Sequence, residues 1–303
     1  AINGDVLLTS YLKKSATGTY TYDVVLNLQK LNGEFIKKDF LLNTDGKKAE
    51  HGFVSMVSNS KGGFYVTWLD GRNTVEKNNK GHHKPMTIRF AEITKSGEIV
   101  NESELDGSTC DCCQTSITNT KNGPVVFYRD RSDAEIRDIY ITRNTNGHWS
   151  TPKAVHNDNW KINGCPVNGP KVVSNENDLA VAWFTAADNT PTVNVVFSSN
   201  LGESFNNPIK VNDLETIGRV DVAYVNKNEV LVSYMEVNNE ETYLKYKKVH
   251  KNGNVLEAIT IPKIDGSRST GVPQLEVFNN EVFVVWTTTI DEKQQLKSVK
   301  FNL

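Results

Sequence analysis

Short runs of Val, Ile, Phe, Tyr and Trp alternate along the chain with clusters of Asn, Gly, Asp and Lys, and helical spacing of apolar residues is almost absent. Short β-rich runs punctuated by turn residues predict an all-β protein of many strands. The runs repeat. Five end in an aromatic: GGFYVTW at Trp68, GPVVFY at Tyr128, DLAVAW at Trp183, NEVLVSY at Tyr234 and NEVFVVW at Trp286. A sixth, GDVLLTSY, ends at Tyr11, and the gaps between successive aromatics are 57, 60, 55, 51 and 52 residues. Thirteen residues before each aromatic stand Ser55, Thr115, Pro170, Asp221 and Pro273, each opening another β-like stretch. The same count from Tyr11 falls off the chain, so the first copy is expected to lack its opening strand, with residues missing upstream of Ala1.

Two more strands follow each aromatic; in the copy of Trp183 they are TVNVVFSS and NPIKVND. Each copy therefore reads as a four-stranded meander of about fifty residues. A single sheet of this kind cannot bury both faces, and radial stacking of copies solves that with few exposed edges. The expected fold is a β-propeller of four-stranded blades, spanning residues 1–303 as one domain, with a linear solenoid as the alternative. Six blades are expected, or seven if a whole blade precedes Ala1. The last copy, ending QQLKSVKFNL, is expected to lack its outer strand.

Composition narrows the partners. The 303 residues are 38% apolar, enough for a sizeable core, and carry 34 basic against 36 acidic side chains. Without a basic pole, nucleic acid is not an expected partner. No apolar run reaches the roughly 20 residues of a spanning helix, so membrane insertion is not expected either. A small molecule or glycan is the expected ligand, and the sequence leaves the oligomeric state open.

In the copy of Trp183, Ser198-Ser199-Asn200-Leu201-Gly202-Glu203-Ser204-Phe205 resembles the Asp-box (BNR) turn of sialidase-type propellers, with Asn200 in place of the aspartate. NTNGHW, ending at Trp149, is similar to the tail of that motif. Together with CDCCQTS, VFYRDRSDAEIRDIY, GCPVNGP and VAWFTAAD, these segments make the whole chain resemble the sialidase-like propeller superfamily, and within it a group of bacterial proteins. The expected function is binding of an acidic glycan or other anionic small ligand at the channel mouth by an exported protein, and the resemblance leaves open its hydrolysis by a glycoside hydrolase of exo-sialidase type. Such enzymes clamp a carboxylate with three arginines and use a Tyr–Glu nucleophile pair and an aspartate acid/base. The Arg-Ile-Pro motif that normally carries the first arginine is absent from this chain.

In a propeller, the starts of the inner strands and the loops after the second strands share one face, at the mouth of the central channel. Two positions after the repeat aromatic stand Lys13, Asp70, Asp130, Thr185, Glu236 and Thr288. Asp70, Asp130 and Glu236 are thus candidate acid/base or stabilising carboxylates, with Tyr234 as candidate nucleophile. Arg72, Arg131, Arg219 and Arg268 are the candidate anion clamp, since guanidinium forks bind carboxylates bidentately. His51 and Asp221, at inner-strand entries, join the candidate ligand-binding set, and the long loop 70–85 adds His82 and His83. The competing reading makes these residues turn formers and interblade ion pairs.

The four cysteines form one group. Cys110, Cys112 and Cys113 lie in TCDCCQ, and Cys165 aligns with Cys110, both five residues before an inner strand. Neighbouring blades therefore bring the four sulfurs to one region. They suit disulfide stapling, with Cys165 bridged to Cys110, Cys112 or Cys113. After stapling come a Cu(I) or Zn(II) site with His51 in reach and then a reactive thiol or redox pair. The glycan reading requires no cofactor; the sulfur reading brings copper or zinc, or a redox role. A non-enzymatic interaction scaffold is the third function class.

Overall fold

A computed structural model gives the fold, and it describes residues 1–77, 83–261 and 263–303. His82 lies outside the described residues. The chain is a six-bladed β-propeller, and its contacts divide it into two compact units. The first comprises residues 1–154 and 162–166, the second residues 155–161 and 167–303. Each holds three blades.

In the first unit, blade 1 runs β1 (Ile2–Asn3), β2 (Val6–Lys14), β3 (Tyr22–Lys30) and β4 (Phe35–Leu41). Blade 2 runs β5 (His51–Ser58), β6 (Phe64–Asp70), β7 (Met86–Ile93) and β8 (Ile99–Thr109). Blade 3 has β9 (Ser116–Thr120), β10 (Gly123–Arg129) and β11 (Ile139–Thr145), closed by two short strands, β12 (His148–Trp149) and β13 (Lys153–Ala154), both paired to β11. All pairings are antiparallel and, apart from that of β13 with β11, join consecutive strands, as hairpin-length connections require. The missing opening strand of the first copy is present as a two-residue stub, β1, paired to Val6 and Leu7.

In the second unit, blade 4 runs β14 (Lys171–Asn175), β15 (Asp178–Thr185), β16 (Thr192–Ser198) and β17 (Ile209–Lys210). Blade 5 runs β18 (Thr216–Asn226), β19 (Glu229–Asn238), β20 (Glu241–His250) and β21 (Ile259–Ile261). Blade 6 has, among the described residues, three strands, β22 (Gln274–Phe278), β23 (Glu281–Ile290) and β24 (Lys293–Asn302), without an outer fourth.

The repeat aromatics fill the centres of the four inner copies. Trp68, Tyr128, Trp183 and Tyr234 are each fully buried. A buried indole N–H or phenol O–H needs a partner, and a carboxylate supplies one every time. Trp68 Nε1 donates to Asp70 at 2.8 Å and Trp183 Nε1 to Asp158 at 2.7 Å. The Tyr128 hydroxyl donates to Asp106 at 2.5 Å and that of Tyr234 to Glu236 at 3.4 Å. In the terminal copies Tyr11 is exposed and Trp286 only partly buried.

Two inner strands begin earlier than the repeat register predicts. β5 and β18 extend back past a bulge, at Gly52–Ser55 and at Gly218–Asp221. In both bulges the residue two before the register position is left-handed: Phe53 at φ 54° and Arg219 at φ 55°. A bulge re-aims one side chain while the strand continues, which is how these entries project groups beyond the sheet edge.

Candidate functional site

In the first unit the entries of blades 2 and 3 meet the loops that follow β6 and β10. His51 is fully buried at the start of β5, opposite Asp70 at the end of β6. Its Nδ1 lies 2.9 Å from the Tyr22 carbonyl, and its Nε2 lies 3.3 Å from Asp45 and 3.6 Å from Asp70. Arg72 closes the group. Its Nε and Nη2 each reach an Asp70 oxygen at 2.8 Å, and Nη2 also bonds Glu102 at 3.1 Å. Burial pushes the Asp70 carboxyl up, but the Arg72 bonds, His51 and the Trp68 indole outweigh it and hold it below the ordinary range. The same acids, against the cost of burying the guanidinium, push the Arg72 pKa up. Asp70 and Arg72 therefore saturate each other.

Blade 3 carries a second network. Arg131 bonds Glu135 through Nε and Nη2, the latter at 2.7 Å, and reaches Asp111 through Nη1 at 2.9 Å. Arg137 bonds the same Glu135 at 2.7 Å and places Nη1 3.3 Å from the Cys110 sulfur. Asp130, which closes β10, is 9% exposed and is pushed up to about 7 by burial and by the Asp106 and Asp138 carboxylates, against an Arg131 backbone N–H. Glu50 is likewise pushed up to about 7, by burial and by Asp111, against His51. Both acids titrate near neutral pH, where a fraction keeps the proton a general acid needs.

Among the cysteines, Cys112 is bridged to Cys165, while Cys110 and Cys113 carry thiols, both buried. Their sulfurs lie 3.3 Å apart, and Cys110 lies 3.9 Å from the Cys112 sulfur. Cys110, Cys112 and Cys113 cluster as metal ligands would. A bridged sulfur is no thiolate donor, so in this oxidation state the cluster presents two thiols rather than the soft four-sulfur set that copper or zinc would take. His51 belongs to the Asp45–Asp70 group instead.

In the second unit the entries of blades 4, 5 and 6 are joined. Asn168 accepts the Arg219 backbone N–H at 2.6 Å and donates to the Ile217 carbonyl at 3.1 Å. The Arg219 side chain is held by main chain: Nη1 donates to the Ser267 carbonyl at 2.5 Å and to the Gly271 carbonyl at 3.3 Å, beside the Met235 sulfur. Arg219 is 8% exposed, and no carboxylate of the described residues forms an ion pair with it. Burial lowers its pKa, Asp265 opposes this, and neighbouring Arg268 adds to it. Arg268 is exposed, in a short 3₁₀ turn over Arg268–Thr270.

The other second-unit candidates face into packing. Asp221 accepts the Val222 and Leu275 backbone N–H groups at 2.8 and 3.0 Å, with Lys171 at 3.8 Å, and so clasps blade 5 to blades 4 and 6. Burial raises its pKa. Tyr234 has its phenol pKa raised by burial and by Glu236. Glu236 accepts the Asp213 and Leu214 N–H groups and lies 3.6 Å from Lys245. By strand alternation Tyr234 and Glu236 face away from Met235, the side chain that Arg219 touches.

Sequence reasoning did not single out Asp45, Glu50, Asp106, Glu135 or Asp265. Glu50 had a signal, since it adjoins His51 at an inner-strand entry; Asp106 lies in β8 and Asp45, Glu135 and Asp265 in loops, and only folding supplies their partners. His83 binds the Thr74 carbonyl at 2.7 Å and is exposed.

The Ser198–Phe205 segment makes a tight turn. Ser198 Oγ accepts the Gly202 N–H at 2.9 Å, and Asn200 Oδ1 accepts the Ser204 N–H at 3.0 Å.

No family model and no curated protein matches the chain. Solved structures do. The phage phi92 endosialidase superposes with a TM-score of 0.56 at 11% identity, over 99% of this chain and 66% of its own. The Hadza microbial sialidase Hz136 gives 0.53 at 11% identity, over 93% and 64%. An ulvan lyase of polysaccharide lyase family PL25, bound to -[GlcA(1-4)Rha3S]-, gives 0.51 at 14% identity, over 84% and 66%. The chain shares its propeller fold with these three proteins. The chain spans less than two thirds of the length of each of these three proteins.

Proposed function

We propose that the protein binds an acidic glycan, or another small ligand bearing a carboxylate, through Arg219 and Arg268. The observation that carries this reading is the state of Arg219: a mostly buried guanidinium anchored to two carbonyls, with no carboxylate of the described residues paired to it. Leaving a charge buried and unpaired is costly, and an arriving anion offsets that cost. Arg72, Arg131 and Arg137 are by contrast already neutralised within the chain. The structural neighbours support a carbohydrate ligand: two are sialidases by name and the third is bound to a glucuronate-containing glycan. The Cys112–Cys165 bridge is compatible with an exported protein.

Calorimetric titration with sialyllactose, glucuronate-containing oligosaccharides and neutral oligosaccharides tests the reading. Binding of an acidic sugar, weakened at least about tenfold in Arg219→Gln, equivalent to about 1.4 kcal/mol, is the expected result. Equal binding of neutral sugars, or no loss in Arg219→Gln, overturns it.

A second reading, turnover of the glycan, is favoured by the two acids whose pKa is raised to about 7. Glu50 and Asp130 are then the proton donors to consider, whereas Asp70 is held ionised and Glu236 is committed to backbone N–H groups. Release of reducing ends from the same panel, lost in Glu50→Gln or Asp130→Asn, supports it; absence of turnover from pH 5 to 8 removes it.

A further inference from the structure

We propose that the four cysteines form a thiol–disulfide relay, in which the bridge moves between Cys112–Cys165 near the surface and Cys110–Cys113 in the interior. The relay lies in the first unit and does not depend on the glycan reading. The sulfurs are graded by depth: Cys165 is exposed, Cys112 half-buried, and Cys110 and Cys113 are 0% and 2% exposed. A staple needs only one bridge. Here two further sulfurs sit against it, Cys110 at 3.9 Å from Cys112 and at 3.3 Å from Cys113.

The surroundings favour a nucleophile at Cys110. Arg137 Nη1 lies 3.3 Å from its sulfur, and Arg129, itself 1% exposed, donates to the Arg137 carbonyl at 2.6 Å and adds its charge to the field. Hydrogen bonds from the Cys113 thiol, the Cys112 backbone N–H and Arg137, with the Arg129 charge, outweigh burial and hold the Cys110 thiol below its ordinary pKa. A thiolate near cations is the reactive form of cysteine.

Exchange proceeds by attack of a thiolate on one sulfur of a disulfide. The Cys110 thiolate attacks the Cys112 sulfur. A Cys110–Cys112 bond forms, the Cys112–Cys165 bond breaks, and Cys165 leaves as a thiolate that takes a proton from water, matching the proton Cys110 released. Cys113, once deprotonated, attacks the Cys110 sulfur; the Cys110–Cys113 bond forms and Cys112 leaves as a thiolate and is protonated. One disulfide and two thiols enter, and one disulfide and two thiols remain, so no external oxidant or reductant is consumed. The product presents a Cys112/Cys165 dithiol at the surface. Its substrate class is an external disulfide, which the dithiol reduces to two thiols while the Cys112–Cys165 bond re-forms.

The test is alkylation of the native full-length chain with iodoacetamide, followed by acid quench and fragment mapping of bridges. The expected result at pH 7–8 is alkylation of Cys112 and Cys165 with a Cys110–Cys113 bridge. Cys110→Ser should keep the Cys112–Cys165 bridge and slow Cys165 alkylation at least about tenfold, since the attacking sulfur is gone. Cys113→Ser should stop halfway, with a Cys110–Cys112 bridge and Cys165 alkylated. In the wild type, Cys165 alkylation should rise with pH, and Arg137→Gln should move that rise to higher pH. Two results overturn the proposal without any variant. One is a wild-type chain that keeps Cys112–Cys165 intact while Cys110 and Cys113 are alkylated. The other is a native protein with four unbridged cysteines and one copper or zinc ion per chain.

Discussion

Gly52–Phe53 in blade 2 and Gly218–Arg219 in blade 5 occupy the same place in the repeat, and the two bulges have diverged in what they carry. Phe53 lies against the apolar cluster between blades 2 and 3, and its carbonyl accepts the Thr115 hydroxyl at 2.6 Å. Arg219 uses the same left-handed turn to hold a guanidinium against two carbonyls. Around the first bulge Arg72, Arg131 and Arg137 are neutralised by carboxylates; around the second, Arg219 is not. A shared backbone device thus serves packing in one unit and an unbalanced charge in the other. The imbalance, rather than the presence of arginine, separates a binding candidate from a structural residue.

The largest expected effect comes from breaking the saturated side. Asp70→Ala leaves Arg72 and the buried Trp68 N–H without their main acceptor and should destabilise the protein by about 3 kcal/mol, as removal of one partner of a buried pair does. Urea unfolding measures it. A loss below about 1 kcal/mol would mean that Asp70 is not structural and would restore it as a functional acid.

The two glycines come next. Gly218 has φ +76°, and an added Cβ would come within 2.5 Å of Asn168 Oδ1 and 2.7 Å of Phe184. Gly218→Ala should cost about 2 kcal/mol or more. At Gly52 an added Cβ meets only Leu12, at an ordinary 3.6 Å, so Gly52→Ala should stay within about 0.5 kcal/mol of wild type. Equal effects would show that the bulges are not distinct.

Arg219→Gln inverts the Asp70 result. It should lose acidic-ligand binding at least about tenfold while leaving stability within about 0.5 kcal/mol of wild type or raising it, because it removes an unpaired buried charge. A drop in the thermal midpoint comparable to that of Asp70→Ala would make Arg219 a structural residue and end the contrast.

A further effect is a pH dependence in the first unit. The Glu50 carboxyl stays protonated in the fold up to about 7, whereas its ordinary value is 4.5. The unfolded chain therefore gives up this proton first as pH rises. The associated stability is fully present below about 4.5 and is lost as pH rises through about 7. Glu50→Gln should flatten that part of the stability–pH curve. An unchanged slope between pH 4.5 and 7 would show that burial and Asp111 do not hold the proton there.

Much of the architecture was legible in the residues. The aromatics at Trp68, Tyr128, Trp183, Tyr234 and Trp286 and the strand openings thirteen residues earlier marked the blades, because alternation and turn chemistry are local properties of the chain. The three-stranded last blade was visible in the same register. What the register missed was the bulge: β5 and β18 begin at His51 and Thr216, ahead of Ser55 and Asp221. Composition carries no mark of the left-handed Phe53 and Arg219 that allow this.

The sites were legible only as lists. The sequence placed Asp70, Arg72 and His51 together but left open whether they served a ligand or one another. It also left open which of Cys110, Cys112 and Cys113 would meet Cys165.

By itself, then, the sequence determined the blades and the residues that enter them, since each blade is built from neighbours in the chain, and it left their number at six or seven. Tertiary structure alone decided which arginines are neutralised, which sulfur is bridged and which acids keep their proton. Those outcomes depend on burial and on distances of a few ångströms between segments tens of residues apart, and chain order does not encode such distances.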